Sequence, residues 1–329
     1  MNIEAFKKEI FQIQQSSDFD RLALALFQYQ YQKLRVYCEF CMQLAIEPAS
    51  VKMTHQIPFL PVDFFRTQRV CSSVEKAGLV FSSSGTSGTS TSLHEVPDPA
   101  IYEQSFEKGF QYFYGDIREY CVLALLPAYL ERQGSSLVYM ADRLIKASGH
   151  SHSGFYLHDL ESLHQTLSNL RKRGQKTLLL GVTYALLDLA EKYPVDFPEM
   201  IVMETGGMKG RRKEMIRQEV HNQLIKAFGV DKIHSEYGMT ELLSQAYSHG
   251  DGLFSCPPWM QISIREMNDP LTLAKPGDSG GINIIDLANV HSCAFIAVQD
   301  IGRTQADGSF EVLGRFDQAQ IRGCNLLVV

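Results

Sequence analysis

The sequence lacks a long hydrophobic run, and it also lacks a long basic run. No stretch approaches the roughly 18 apolar residues that a membrane span requires, and residues 1–12 have no apolar signal-peptide region. The formal net charge is −6, whereas extended contact with nucleic acid needs clustered Lys and Arg. We therefore expect a cytoplasmic protein with no membrane span and no nucleic-acid partner. A small polyphosphate ligand is compatible with this charge, because loops and metals can neutralise it locally.

Cysteine is scarce and scattered. The odd count of seven at low density favours reduced thiols over a disulfide framework. Cys38 and Cys41 form one Cys-x-x-Cys in a stretch with helical periodicity, and no second pair follows at zinc-like spacing. We interpret this pair as core packing.

Short apolar runs alternate with amphipathic stretches through most of the chain, after about 50 residues of helical periodicity. Strands that alternate with helices predict an α/β domain with a mostly parallel sheet. After Trp259, short strands separated by Gly, Pro and Asp indicate a small β-rich subdomain. The predicted strands are 78–81, 121–126, 177–180, 201–203, 261–264, 281–285 and 294–298, and the predicted helices are 99–114, 160–170, 185–191 and 211–228.

A segment rich in hydroxyl groups and glycine, residues 81–92, follows the first predicted strand. Glycine lets the backbone approach a ligand closely, and hydroxyl and N–H groups donate to phosphate oxygens. The segment is not a Walker loop, because no Lys-Ser/Thr follows its second Gly. Taken alone, it fits a flexible Ser/Gly linker equally well.

A second motif places Tyr237, Gly238, Thr240 and Glu241 within five residues, after the apolar and polar run 231–234. Strand ends of this kind are where the sites of α/β proteins collect. The motif offers a stacking surface, a close backbone approach, a phosphate donor and a hard oxygen ligand for Mg²⁺. A polar loop with the tyrosine packed in the core is the alternative.

The third motif comprises Asp300 and the segment 313–317, which contains Arg315. As structure alone, Asp307-Gly308 predicts a hairpin turn. A buried or half-buried Asp300 would suit a vicinal diol, and Arg315 would suit a phosphate or ribose edge.

In their order, these segments resemble the adenylate-forming superfamily of acyl-CoA synthetases, luciferase-like ligases and peptide-synthetase adenylation domains. Each motif is weak alone, but five in the expected order are specific, and the resemblance extends over residues 78–323. It implies the large N-terminal domain of the adenylate-forming fold, an α/β domain of mostly parallel sheets with a small β-rich subdomain. It also implies ATP and Mg²⁺ as cofactors and a carboxylic acid as substrate.

The resemblance also implies roles for individual residues. Thr240 would contact the α-phosphate, Glu241 would hold Mg²⁺, and Arg315 belongs to the Gly-Arg-x-Asp hinge, which makes these three the expected catalytic groups. Tyr237 would stack on adenine beside Gly238, Asp300 would bind the ribose, and Tyr184 lies in a segment similar to the acid-pocket loop of the phenylacetate-ligase branch. The phosphate loop and the adenine segment comprise Ser83, Ser84, Gly85, Thr86, Ser87, Gly88, Thr89, Gly206, Gly207 and Met208.

The sequence departs from the superfamily in two places. Ser90 and Thr91 occupy the positions where a Lys usually follows the Gly-rich part of the loop. The superfamily also continues beyond its hinge into a mobile lid domain with a catalytic Lys, whereas this chain ends at Val329. We therefore expect an adenylate-forming domain over 1–317, with 260–317 as its β-rich subdomain, and a hinge and truncated lid remnant over 318–329, with the full lid domain absent.

A lidless member resembles the acyl-protein synthetases of bacterial bioluminescence, the LuxE type. In that family a Cys near the C-terminus takes the acyl group from the adenylate, and Cys324 lies at the matching position. Gly323 would expose the thiol, and Arg322 could favour its thiolate. The structural alternative is a small apolar residue on a terminal strand.

The residues and the resemblance together predict an AMP-forming acid–thiol ligase. It would activate a fatty or aromatic acid, release pyrophosphate, and transfer the acyl group to Cys324 and then to an acyl-accepting reductase or carrier protein. One alternative is a coenzyme A or acyl-carrier-protein ligase that uses a separate lid. A non-enzyme alternative is a nucleotide-binding or interaction subunit with the inherited fold. We interpret His55, His94 and His234 as structural or surface residues.

Overall fold

A computed structural model describes residues 1–73, 77–83, 91–127, 134–157, 159–206, 215–275 and 277–316. The chain divides into two units, each assembled from separate segments. Unit 1 comprises Met1–Ser105, Thr240–Ser244 and Ser255–Val329, and unit 2 comprises Phe106–Met239 and Gln245–Phe254. The boundaries predicted from the sequence at 260 and 317 stay predictions.

The described residues contain nine α-helices and fourteen strands. The helices are α1 Ile3–Glu9, α2 Ser16–Lys33, α3 Arg35–Gln43, α4 Phe64–Thr67, α5 Pro99–Tyr114, α6 Ser136–Ser148, α7 Leu160–Lys172, α8 Thr183–Lys192 and α9 Arg217–Phe228. The strands are β1 Leu60–Pro61, β2 Leu79–Ser82, β3 Leu93–Val96, β4 Cys121–Leu125, β5 Gly154–Phe155, β6 Thr177–Val182, β7 Ile201–Thr205, β8 His234–Tyr237, β9 Ala246–Ser248, β10 Leu253–Ser255, β11 Met260–Arg265, β12 Gly280–Asp286, β13 Phe295–Thr304 and β14 Phe310–Arg315.

A mostly parallel sheet forms the centre of unit 2. Its parallel strands follow the order β5, β4, β6, β7 and β8, and β9 pairs with β8 in the antiparallel direction. Strands β4 and β6 are buried along their whole lengths, because parallel strands are covered on both faces and therefore consist of continuous apolar runs. This arrangement confirms the predicted α/β class.

The helices of unit 2 begin and end at residues that suit their termini. Asp159 caps α7 by accepting a hydrogen bond from the Ser162 N–H at 2.9 Å, and the leucines of one face of α7 are buried. Helix α9 begins at Arg217, later than the predicted position 211, and residues 211–214 lie outside the described chain. It ends at Gly229, whose φ of 65° favours glycine.

Unit 1 contains short antiparallel sheets, as the sequence predicts for the segment after Trp259. Strands β11, β12, β13 and β14 pair in chain order, and β1 adds to β13 in the parallel direction. The predicted hairpin turn connects β13 to β14, where Thr304 pairs with Phe310. A separate hairpin of β2 and β3 flanks residues 83–92, the hydroxyl-rich segment.

Helices α1, α2 and α3 provide the helical start that the periodicity predicts. Leu34, an extended residue, separates α2 from α3. Cys41 is buried on α3, and burial raises the pKa of its thiol to about 12. None of the helices in the described part of the chain is long and apolar enough to cross a membrane.

The buried His234 and its neighbour His249 predict acid sensitivity of unit 2. His234 lies 3.2 Å from the Tyr114 hydroxyl, and its ring centre lies 5.3 Å from that of His249. Burial lowers the pKa of His234 to about 4 and also lowers the pKa of His249. The unfolded chain binds these protons near pH 6.5, so the free energy of unfolding should fall as pH falls from about 6.5 to about 4.

We expect His234→Phe to remove roughly 1–2 kcal/mol of this pH-dependent loss, because the aromatic volume remains while the titrating group is gone. Urea unfolding at pH 7.5 and pH 5 measures the difference. His152→Gln, at an exposed position of the same unit, is the control. An unchanged acid slope in the His234 variant would contradict the assignment.

Candidate functional site

The Tyr-Gly-x-Thr-Glu motif begins within a strand rather than after one. Strand β8 continues through Tyr237, so the predicted strand end at residue 234 is too early. Tyr237 and Gly238 belong to unit 2, and Thr240 and Glu241 belong to unit 1. We therefore describe the predicted site residues unit by unit.

In unit 1, Glu241 is a buried carboxyl group with 6 % of its surface exposed. Burial raises its pKa, while the Ser92 side chain and the charges of Arg66 and Arg315 act in the opposite direction. A carboxyl group that loses its solvent in this way gains most from a cation, because the cation favours the ionised form.

The structure brings Asp300 and Arg315 together on neighbouring strands of unit 1. The two residues are directly paired between β13 and β14, and the Arg315 Nε lies 3.9 Å from the Asp300 Oδ1. Arg315 also donates to the Gln299 side-chain oxygen at 3.1 Å. The half-exposed guanidinium group and the mostly buried carboxylate can therefore act on one ligand.

Arg265 is a buried cation that the sequence did not reveal. Its guanidinium group donates to the backbone carbonyls of Ile282 and Val298, both at 2.5 Å, and to the Asn283 side chain at 2.9 Å. Burial lowers its pKa to about 10, and the charge of Asp300 acts in the opposite direction. The sequence feature that could have indicated Arg265 is Gly281, because a side chain at position 281 would collide with the Arg265 guanidinium group.

Ser83 and Ser92 close the base of the hydroxyl-rich segment. The Ser83 N–H donates to the Ser92 carbonyl at 3.1 Å, and the Ser92 N–H donates to the Ser83 hydroxyl oxygen at 2.9 Å. The structure therefore uses the Ser83 oxygen as a local acceptor. The other residues predicted for this loop and for the adenine segment, and the predicted acyl acceptor, lie outside the described residues: Ser84, Gly85, Thr86, Ser87, Gly88, Thr89, Gly207, Met208 and Cys324.

In unit 2, the predicted residues lie at the carboxyl ends of the parallel strands. Gly206 follows β7 with a φ of 76°, a value that favours glycine. The Tyr237 ring packs against Phe254 with ring centres 5.9 Å apart. Tyr184 lies in the first turn of α8 with only 6 % of its surface exposed.

Glu204 on β7 contacts residues of β8, α8 and α9 in unit 2. Thr183 donates to one of its carboxylate oxygens at 2.6 Å, Ser235 donates to the other at 3.1 Å, and the His221 Nε2 lies 3.6 Å from that second oxygen. Burial acts to raise the pKa of Glu204, but the nearby His221 ring and the hydrogen bond from Thr183 hold it below its usual value. No prediction from the sequence included Glu204, although a charged residue inside an otherwise apolar strand points to such a group.

A second buried carboxyl group of unit 2 lies beside the motif. Thr205 donates to Glu236 at 2.6 Å, and burial raises the pKa of Glu236 to about 7. The carboxyl group of Glu236 lies so close to Gly238 that a side chain at position 238 would collide with it. A larger residue at this position of the motif would therefore force the Glu236 carboxyl group to shift.

A family model of the LuxE acyl-protein synthetases matches residues 5–329 of the chain. The chain belongs to the LuxE family. This confirms the resemblance that its motifs indicated. A search of the curated proteins found no significant match.

Solved structures with a similar fold are adenylate-forming ligases. The crystal structure of ATP-bound MatB from Rhodopseudomonas palustris aligns with a TM-score of 0.55 and 16% identity, over 73% of this chain and 49% of MatB. 2-Hydroxyisobutyryl-CoA ligase in complex with 2-HIB-AMP and CoA aligns with a TM-score of 0.71 and 12% identity, over 92% of this chain and 69% of that ligase. This LuxE chain thus spans about half the length of MatB. Identities this low show the fold alone, and they confirm the predicted adenylate-forming fold.

Asp286 supports the unit 1 part of the site. One carboxyl oxygen accepts from the Leu243 and Ser244 N–H groups at 2.8 and 3.0 Å, and the other accepts from the Ser244 hydroxyl at 2.6 Å and the Ala288 N–H at 3.1 Å. The residue is fully buried, and burial raises its pKa.

Asp286→Asn places an amide NH₂ against these donors and should lower the free energy of unfolding by about 2–4 kcal/mol. Urea denaturation measures the loss. Asp269→Asn, where an exposed carboxylate accepts only local hydrogen bonds, should cost less than about 1 kcal/mol. Equal losses in the two variants would argue against a special role for the buried carboxyl group.

Proposed function

We propose that this LuxE-family protein uses ATP to activate a carboxylic acid as an acyl-adenylate, releases pyrophosphate, and transfers the acyl group to a thiol. The observation that carries this proposal is the match of the family model over residues 5–329. The fold shared with ATP-bound MatB and with a ligase that holds 2-HIB-AMP supports it. The acid would be a fatty or an aromatic acid.

In unit 2, Tyr237 would stack on adenine, since Phe254 packs against its ring and fixes the plane. Gly206 and Gly238 would let the backbone come close to the nucleotide. Tyr184 would contribute to the pocket for the acid. The expected phosphate loop, 83–89, and the adenine residues Gly207 and Met208 complete the set.

In unit 1, Thr240 would donate to the α-phosphate, and Asp300 would accept from the ribose hydroxyls. Arg315, which is paired with Asp300 across two strands, would supply positive charge at the phosphate or ribose edge. The structure supports this set because it places all three residues, with Glu241, in one unit.

Mg²⁺ fits Glu241. In the described part of the chain, no group of three or more His, Cys, Asp or Glu side chains could hold a metal ion. Magnesium in nucleotide sites is typically held by one or two carboxylates and by the phosphates of the substrate, so a single carboxylate is sufficient. Burial raises the pKa of Glu241, and a cation would offset that cost. A bound Mg²⁺ would neutralise phosphate charge.

In the adenylation step, a carboxylate oxygen of the acid attacks the α-phosphorus of ATP. A bond forms between these two atoms, and the bond from the α-phosphorus to the bridging oxygen breaks, so that pyrophosphate leaves. Thr240 and Arg315 would meet the charge that develops on the phosphoryl oxygens, and such fixed donors supply most of the acceleration in comparable sites.

In the transfer step, a thiolate attacks the acyl carbon and AMP leaves. We assign the thiolate to Cys324 because of its position in the LuxE tail. Burial raises the pKa of five other cysteine thiols and so disfavours their thiolate forms. These residues are Cys41, Cys71, Cys121, Cys256 and Cys293. The acyl group would then pass to an acyl-accepting protein.

Coenzyme A is the second candidate acceptor, because the structure of 2-hydroxyisobutyryl-CoA ligase contains CoA together with the adenylate. In that case no acyl group would accumulate on the protein. A nucleotide-binding subunit without activity would bind ATP but would not exchange pyrophosphate, which separates it from both enzymes.

We expect Glu241→Gln to lower acid-dependent exchange of labelled pyrophosphate into ATP at least about tenfold, since the variant loses the charge that holds the metal. It should also lose the Mg²⁺-dependent part of the rise in melting temperature with a non-hydrolysable ATP analogue. Glu95→Gln is the matched control, because Glu95 forms only a surface ion pair with Arg69 at 2.6 Å. No exchange by the wild type with any acid of a broad panel would overturn the proposal.

Incubation with ATP, Mg²⁺ and a suitable acid should increase the protein mass by one acyl group, and hydroxylamine should remove it, as expected for a thioester. Cys324→Ser should abolish this labelling while pyrophosphate exchange continues. Cys38→Ser, at a partly exposed position of α3, should be labelled as the wild type is. Labelling that persists in the Cys324 variant would assign the acceptor to another residue.

A further inference from the structure

The backbone of the Thr-Glu motif has no regular secondary structure to hold it. Residues 240–244 lie in neither a helix nor a strand, so their peptide groups have no ladder partners and must be paired in another way. Buried side chains from distant parts of unit 1 provide the hydrogen-bond partners instead. The His94 Nδ1 lies 2.7 Å from the Thr240 carbonyl oxygen, and the Asn289 amide donates to the Glu241 carbonyl oxygen at 2.8 Å.

The contact of His94 has a defined direction. A carbonyl oxygen only accepts, so the Nδ1 must carry the hydrogen and donate it. His94 is fully buried, and the Phe65 ring packs edge-on against it with centres 5.6 Å apart. Burial lowers the pKa of His94 to about 4. At neutral pH the residue is therefore an uncharged donor held in one orientation.

His94 connects the motif to the strand that follows the hydroxyl-rich segment. It lies on β3, which begins directly after Ser92. Ser92, the residue before β3, acts to lower the pKa of the Glu241 carboxyl group. The backbone of the motif thus contacts β3 through His94, and its acidic side chain is influenced by the residue directly before that strand.

The neighbouring anchor, Asn289, is itself fixed by the N-terminal helices. The buried Gln30 side chain on α2 donates to the carbonyls of Asn289 and Ser292 at 2.8 and 2.7 Å, and it accepts from the Ala294 N–H at 3.0 Å. With this loop fixed, the His94 bond is the contact that orients Thr240 and Glu241 relative to β3.

We propose that His94 is a positioning residue for the nucleotide site: its Nδ1–H bond to the Thr240 carbonyl sets the orientation of the Thr-Glu motif and thereby controls metal-dependent nucleotide binding. This inference rests on the proposed role of Glu241 and extends it to a side chain that does not touch the nucleotide.

Two substitutions at one position test the proposal. In His94→Asn the amide nitrogen can occupy the place of the Nδ1, because both atoms are separated from Cβ by the same number of bonds. In His94→Gln the amide nitrogen reaches one bond further and leaves the Thr240 carbonyl unpaired. Titration with a non-hydrolysable ATP analogue, with and without Mg²⁺, measures the gain in affinity that the metal provides.

We expect His94→Gln to lower that metal-dependent gain about three- to tenfold and His94→Asn to retain it within about twofold. A merely structural role would lower the melting temperature of both variants and leave the gain in affinity of the folded protein unchanged. An unchanged gain in His94→Gln, or an equal loss in both variants, would overturn the proposal.

Hydrogen exchange without nucleotide gives a second readout. The amides of Leu243 and Ser244 should exchange faster in His94→Gln than in the wild type and in His94→Asn, because the motif backbone is held less firmly. Equal exchange in His94→Gln and the wild type would overturn the positioning role whatever the nucleotide does. Failure of the wild type to bind the analogue would instead overturn the proposed function, and the exchange rates would still decide whether His94 holds the motif.

Discussion

The pairing of the Asp286 carboxyl group with the backbone of residues 243–244 is the constraint on which unit 1 depends. A buried carboxyl group is costly unless donors surround it, and this one receives four hydrogen bonds. Three of these donors belong to Leu243 and Ser244, in the irregular segment 240–244, so the carboxyl group and the segment stabilise each other. Because Thr240 and Glu241 lie in the same segment, the Asp286 contacts also help to determine where the proposed chemistry takes place.

The described part of unit 2 places acidic side chains at the ends of its parallel strands, whereas a polyphosphate ligand favours positive charge. Two buried carboxyl groups, Glu204 and Glu236, lie at the carboxyl ends of its parallel strands, paired with hydroxyl groups and a histidine. In the proposed function, Mg²⁺ at Glu241 and the Arg315 guanidinium group, both in unit 1, would supply positive charge to the phosphates. This is compatible with a chain whose net charge is −6.

The sequence predicted the local features of this fold and missed the long-range ones. Helix α5 has the predicted bounds, and β4 and β6 follow apolar runs that any window of the sequence reveals. Asp286 and Glu204 gave no such signal, because their partners lie 43 and 31 positions away. His94 was interpreted as structural, and only the contact with Thr240 connects it to the site. The role of a buried polar group depends on its neighbours in space, and the whole fold determines which residues those neighbours are.

The Gln30 contacts determine the order in which the protein can fold during synthesis. The hydrogen-bond partner of Gln30 lies 262 positions later in the chain. At typical translation rates, that partner is synthesised roughly 13–50 s after Gln30. Unit 2, which consists mainly of the continuous segment Phe106–Met239, can pair its parallel strands well before then. The helices that are synthesised first therefore form these Gln30 contacts late in synthesis. We therefore expect the apolar faces of these helices to stay exposed on the newborn chain for longer than the strands of unit 2.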